Sequence, residues 1–198
     1  LAIRAGATYI ATNLDKTIPR ERGLMVGNGS LVTAVAVSTG ATPLSAGKPE
    51  PEIFRAAAAL MEAERPLAIG DNLDTDIKGA VAAGIDSMHV LTGLASARDI
   101  CLAPSDVRPT YLCDDMRGLN EPYPEAAVEG ARARVGEAFA EWTGQGFDVT
   151  DAGEAVDVSN GASLALDAYR ALVLAAWRAA DAGSDVSRSV GELRVVRL

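Results

Sequence analysis

Apolar residues in this chain fall into short runs closed by Gly, Asn, Asp or Pro, and these runs alternate with stretches of helical period. Residues 7–11, Ala-Thr-Tyr-Ile-Ala, predict a buried strand entering the polar turn Thr12-Asn13-Leu14-Asp15. Pro19 and Arg20-Glu21-Arg22 read as a loop. Gly27-Asn28-Gly29-Ser30 then introduces an apolar helix over 31–38, with Asn28 or Ser30 as its N-cap and Gly40 as its end. Residues 41–46 make a short connection or strand. After Gly47-Lys48-Pro49, Pro51 fits the first turn of a helix whose Ile53, Ala57, Leu60 and Met61 form an apolar stripe. A strand over 66–69, a helix over 76–83 stopped by Gly84, a strand over 87–91, a helix over 96–102 and a strand over 109–112 follow. Strand and helix in this alternation predict an open parallel sheet with crossover helices.

Beyond Leu119 the texture changes. Glu121-Pro-Tyr-Pro124 reads as a linker. A helix over 125–142, a hairpin over 147–158 about Ala152-Gly153, an Ala-rich helix over 162–182 and a closing strand over 193–198 are expected. This tail has no His, Cys or Lys, and its acids are dispersed. Its plain reading is a structural or oligomerisation appendage.

Composition narrows the function. The chain has 198 residues, 48% hydrophobic, with a net charge of −9 and a pI near 4.6. Such a field argues against nucleic acid or an anionic membrane as a partner, and an anionic substrate would need a local cation. Cys101 and Cys113 provide neither a disulfide framework nor metal-ligand spacing, which fits a reducing cytoplasm. No apolar run approaches the roughly 20 residues that span a bilayer, and no signal peptide is visible. The opening Leu1-Ala-Ile, with Met25 as the first Met, reads as the interior of a longer protein.

Candidate chemistry gathers where predicted strands end, which is where open parallel sheets bind ligands. Thr12-Asn13 with Asp15 is one such place, Lys48 a second, and Gly70-Asp71-Asn72-Leu73-Asp74-Thr75-Asp76 a third. Carboxylates this close repel one another unless a cation lies between them, and hard oxygens suit Mg²⁺. Asp74 and Asp76 equally fit the N-terminus of the next helix. A lone lysine is usually a solvated surface group. Lys48 differs in standing between Gly47 and Pro49, just ahead of a helix. A fixed ammonium and a carboxylate-bound cation are what a phosphoryl group needs around it, since its transition state spreads negative charge over oxygens.

Ala11-Thr-Asn-Leu-Asp15, Gly27-Asn-Gly-Ser30, Gly47-Lys-Pro-Glu-Pro51 and Gly70-Asp-Asn-Leu-Asp-Thr-Asp-Ile77, in this order, resemble the haloacid-dehalogenase (HAD) superfamily phosphatases. The similarity is to the large-cap, NagD-like or nitrophenylphosphatase-like subclass. The resemblance implies an α/β fold: a partial Rossmann-like HAD core with a parallel sheet, the end of an α/β cap, and a small C-terminal α/β extension. Residues 1–45 would finish the cap and return to the core, residues 46–119 would form the core, and residues 120–198 the extension. Lys48 would contact the phosphoryl group and the aspartate nucleophile. Asp71 would ligate Mg²⁺, and Asp76 would hold the metal site in shape from behind its ligands. Asn13, Ile18 and Asn72 would meet the substrate, Ile18 falling near the subclass's specificity position. The implied substrate is a small phosphorylated metabolite of the glycerol phosphate, phosphoglycolate or nitrophenyl phosphate type. A homodimer through the cap is the implied assembly.

The chain departs from that pattern in one respect. The Asp-x-Asp-Gly segment that supplies the nucleophile does not occur in it, so residues 1–198 alone are expected to be inactive, to hold Mg²⁺ poorly and to expose an apolar sheet edge. The extension is similar in length and Ala-rich texture to that of actinobacterial glycerol-phosphate-phosphatase-like forms, which resembles an acetyltransferase-type fold. No Gly-rich pyrophosphate loop accompanies it, and acyl transfer is not expected. Two other readings stand beside the enzyme. A response-regulator receiver shares the acidic site and lysine but places its acidic pair first. A non-catalytic binding or assembly module would keep the fold without the chemistry.

Overall fold

The computed structural model describes residues 1–197, and the chain divides into two units, Leu1–Met88 and the residues from His89 onward. In the first unit, β1 (Ile10–Ala11) pairs in parallel with β4 (Leu44–Ser45), Ile10 opposite Leu44. The strand is shorter than its apolar run. Tyr9, just ahead of it, accepts from the Leu44 amide at 2.8 Å and places its hydroxyl on the Val32 carbonyl at 3.2 Å.

The loop expected around Pro19 is a hairpin. β2 (Thr17–Arg20) runs antiparallel to β3 (Gly23–Val26), with Ile18 opposite Met25. Every residue of both strands is exposed, and an exposed two-stranded ribbon tolerates proline, which cannot donate to a ladder. Helix α1 (Asn28–Thr39) begins earlier than the apolar pattern and is capped by Gly27 without a side-chain bond. Asn28 and Ser30 are therefore not its caps. Gly40, at φ 72°, closes it in the left-handed conformation that glycine adopts without strain.

Helix α2 (Glu52–Leu60) corrects a second expectation. None of its residues is buried, and Ile53, Leu60 and Met61 of the stripe are exposed. It meets its neighbour instead through the Phe54 ring, which lies where a side chain on Gly79 would be, and through Arg55, which donates to the Ala82 carbonyl at 2.9 Å. Strand β5 (Leu67–Gly70) leads to a π-helical turn, Leu73–Ile77, and on into α3 (Lys78–Ala83). Ile77 and Ala80 are fully buried. β6 (Asp86–Val90) and β7 (Tyr111–Cys113) are the next strands along the chain.

In the second unit, α4 (Ala97–Cys101) starts with a capping box: Ser96 and Asp99 each bond the other's backbone amide. The helix expected over 125–142 is absent. That stretch is three antiparallel strands, β8 (Ala126–Glu129), β9 (Arg132–Val135) and β10 (Ala138–Trp142), continued by β11 (Phe147–Asp151) and β12 (Glu154–Ala155) in the order β12-β11-β10-β9-β8. Gly130 and Gly136, at φ 57° and 56°, turn the chain between them. Burial alternates along β9, with Ala133 and Val135 buried and Arg132 and Arg134 exposed. Alanines count as helix formers by propensity, yet Ala133, Ala138 and Ala140 take buried strand positions here.

The buried face receives α5 (Leu166–Asp181), in which Ala171, Leu172, Ala175 and Ala176 are fully buried. Its predecessor β13 (Ala162–Ala165), expected as helix, pairs in parallel with β14 (Leu193–Val196), so α5 is their crossover. Arg170 is buried within this unit, donating to the Leu112 carbonyl and Asp167 at 3.0 and 2.7 Å and lying over the Tyr123 ring. The molecule is thus mixed α/β with parallel strand pairs. Among the described residues no helix is long and apolar enough to cross a membrane.

Candidate functional site

The loop after β1 is held in place before any chemistry is considered. Its carbonyls accept from α1 and the turn ahead of it: Asn28 Nδ2 to Asn13 O at 2.7 Å, Ser30 Oγ to Lys16 O at 2.7 Å, Gly29 N to Asp15 O at 2.8 Å and Gly27 N to Lys16 O at 2.9 Å. The Leu14 amide donates to the Lys48 carbonyl at 3.2 Å. Close approach requires glycine at two places. A Cβ on Gly29 would strike the Leu14 carbonyl, and one on Gly47 the Thr12 carbonyl. The Gly-Asn-Gly-Ser and Gly-Lys-Pro motifs therefore act as clasps on the Thr12–Thr17 stretch.

This brings Asp15 to Lys48. The Lys48 ammonium lies 2.6 Å from Asp76 Oδ1 and 3.9 Å from Asp15 Oδ2. The second Asp76 oxygen accepts from the Asn72 amide at 3.3 Å, and Gly70 leaves room for this carboxylate, which a Cβ there would overlap. Asp71, at the end of β5, is half-buried and adds to the negative field around Lys48. Partial burial disfavours the Lys48 charge. The hydrogen bond and charge of Asp76, with Asp15 and Asp71 behind it, outweigh that effect and raise the ammonium pKa above its ordinary value.

The structure thus pairs Lys48 with Asp76 and leaves Asp71 near enough to act on the ammonium by its charge. Asn72 caps the π-helical turn through Oδ1, which accepts from the Asp74 amide at 3.0 Å. Asp74 is exposed and is not the cap. Asn13 Oδ1 is used within its own turn, accepting from the Asp15 amide at 3.2 Å. Asn72 also lines a cavity of about 450 Å³ with Asp15, Lys16, Thr75, Lys78 and other residues of the loop and turn. Ile18 is not in its wall; it faces Met25 across the hairpin.

Asp15 had no assigned role in the sequence, although it stood at a strand end. Asn28 and Ser30 were legible as polar residues at a helix start but not as ties to a loop far away in sequence. Thr75 gave no signal at all. It is 6% exposed, and its hydroxyl has no hydrogen-bond partner among the described residues.

Residues 45–119 match the HAD-hydrolase-like family. Over that stretch the chain is similar to HAD-like hydrolases. It is 49% identical over 128 residues to the D-glycerol 3-phosphate phosphatase of Mycobacterium tuberculosis, covering 65% of this chain and 36% of that protein. It is 42% identical over 127 residues to an acid sugar phosphatase of Staphylococcus aureus, covering 63% of this chain and 47% of that one. The crystal structure of the M. tuberculosis glycerol phosphate phosphatase in complex with magnesium is similar at a TM-score of 0.67 and 35% identity, over 98% of this chain and 53% of that chain. The chain therefore spans only about half of these relatives, or less.

As a seat for a hard divalent cation, this site is partial. Asp71 has the right chemistry and place for an oxygen ligand. Asp76 is occupied on both oxygens, by Lys48 and the Asn72 amide, which suits it to positioning rather than ligation. Among the described residues no group of three His, Cys, Asp or Glu side chains is arranged to hold a metal. The described residues therefore offer at most one side of a cation site.

Proposed function

We propose that this chain is the phosphoryl-handling portion of a Mg²⁺-dependent phosphomonoesterase acting on a small phosphorylated metabolite. The observation that carries the reading is the Lys48 ammonium fixed between Asp76 and Asp15 at the ends of parallel strands. Lys48 binds a non-bridging phosphoryl oxygen and offsets the charge that develops there. Asp76 keeps that ammonium charged and aimed, and the loop clasp fixes Asp15 on its other side. Asp71 is the residue of this chain that would hold Mg²⁺, whose contribution when bound is to neutralise phosphate charge. Asn13 and Asn72 shape the substrate side, and Ile18 meets the substrate only if the hairpin folds toward it.

The aspartyl-phosphate route implied by the resemblance needs a carboxylate nucleophile from an Asp-x-Asp-Gly segment, which is not among these residues. In the proposed division, residues 1–45 end a cap, 46–119 form the catalytic core and 120–198 are an appendage; the whole works in the cytoplasm, as a monomer or a cap-paired dimer. The test is a longer chain that includes that segment, assayed with Mg²⁺ on small phosphate esters. Lys48→Ala and Asp71→Asn should each lower turnover by about 10²-fold or more. Turnover within about twofold of the parent would remove the assigned roles.

A further inference from the structure

Residues 168–173 of α5 are buried without interruption. Such a run passes a full helical turn, so no side of the helix is open there. The sheet strands β9 and β10 cover one face, and the opposite face needs a second cover. Residues 97–113 supply it. Trp177 Nε1 donates to the Ile100 carbonyl at 2.8 Å, and Ile100 and Cys101 are buried. α4 is a single short turn of helix, which does not hold without packing.

Arg170 is the centre of this contact. It is 8% exposed, and a buried guanidinium is costly unless its donors are matched. Its partners are divided between two parts of the chain. Asp167 and the Tyr123 ring belong to the tail, whereas the Leu112 carbonyl, and Cys113 Sγ at 3.8 Å, belong to β7. The Leu112 amide in turn donates to the Tyr123 hydroxyl at 3.1 Å. The stretch 121–124, expected as a linker, is thus pinned to the strand before it.

We infer that residues 120–197 are an obligate partner of residues 97–113, recognised through Arg170 and α5 and not through the peptide that joins them. The tail is an appendage in sequence only. Without β7 it keeps a buried cation half matched, and without α5 the short α4 loses the helix it packs on. This goes beyond the phosphatase reading and does not depend on it.

The test cuts the full chain while it is folded. A specific protease site inserted after Asn120, an exposed position, yields two pieces that size-exclusion chromatography separates or finds together. They should migrate as one species of the uncut size and part only in urea. Arg170→Met, which keeps the apolar stem, should weaken their association about tenfold or more in a dilution series. Arg132→Gln, at an exposed ion pair with Glu141 inside the tail, should leave it unchanged. Pieces that separate on cutting overturn the inference, as does an equal loss in the two variants. If the insertion or Arg170→Met prevents folding, hydrogen exchange of the uncut parent in rising urea decides. Amides of α4 and β7 that open together with those of α5 support the partnership, and their opening at lower urea overturns it.

Discussion

The ammonium of Lys48 shares its surroundings with three carboxylates, Asp76, Asp15 and Asp71, in a chain whose net charge is already −9. Burial works against the charge, yet its pKa is raised, so the folded state binds the proton more tightly than the unfolded chain does. The sign follows. The pairing stabilises the fold fully below the ordinary lysine pKa of 10.5 and is lost as pH rises through the higher folded value. The difference in urea stability between the parent and Lys48→Met should therefore be flat through neutral pH and shrink above about pH 10. A difference that shrinks on acidification from pH 8 to 6 instead would mean that Lys48 is not held in this way. Lys48, Asp71 and Asp76 could be read from sequence because Gly-Lys-Pro and Gly-Asp-x-x-x-x-Asp are local patterns. Asp15 could not, since its meeting with Lys48 depends on carbonyl contacts to Asn28, Gly29 and Ser30.

Among the elements, the sheet from β8 to β12 shows where local pattern misled. Residues 125–142 are rich in Ala and Glu, which favour a helix by propensity. The deciding features are the two positive-φ glycines, Gly130 and Gly136, and the alternation of buried Ala133 and Val135 with exposed Arg132 and Arg134. That alternation yields a test that a helix would fail. Val135→Ala, at 1% exposure, should cost about 2 kcal/mol in urea unfolding, while Arg134→Gln beside it should change stability by about 0.5 kcal/mol or less. Equal effects at the two positions would contradict the strand. The apolar stripe of α2 is the converse case. Its period predicted a helix correctly, but nothing in a period says whether the stripe is covered, and here Leu60 and Met61 are exposed at 83% and 76%.

For the whole molecule, the buried apolar residues are unevenly shared. Ala11, Val32, Ile77, Ala80 and Met88 are those of the first unit, whereas α5 alone buries eight apolar residues, with Leu164, Val135 and Ala140 nearby in the second. Local stability follows buried contacts, so hydrogen exchange should be slowest at the amides of α5 and β10 and fast throughout the exposed β2-β3 hairpin. Slower exchange in the hairpin than in α5 would overturn that ordering. The sequence by itself determined the α/β alternation, most strand and helix positions up to residue 113, the HAD-like motifs and the acidic, lysine-bearing strand ends. These follow from periodicity, caps and residue type, which act over a few neighbours. Only the tertiary structure decided that Asp15 faces Lys48, that Asn28 and Ser30 hold a loop rather than cap a helix, that residues 126–142 are sheet, and that the Thr75 hydroxyl is buried with no hydrogen-bond partner among the described residues. Each of those depends on groups distant in sequence excluding water from one another, and no local pattern encodes that.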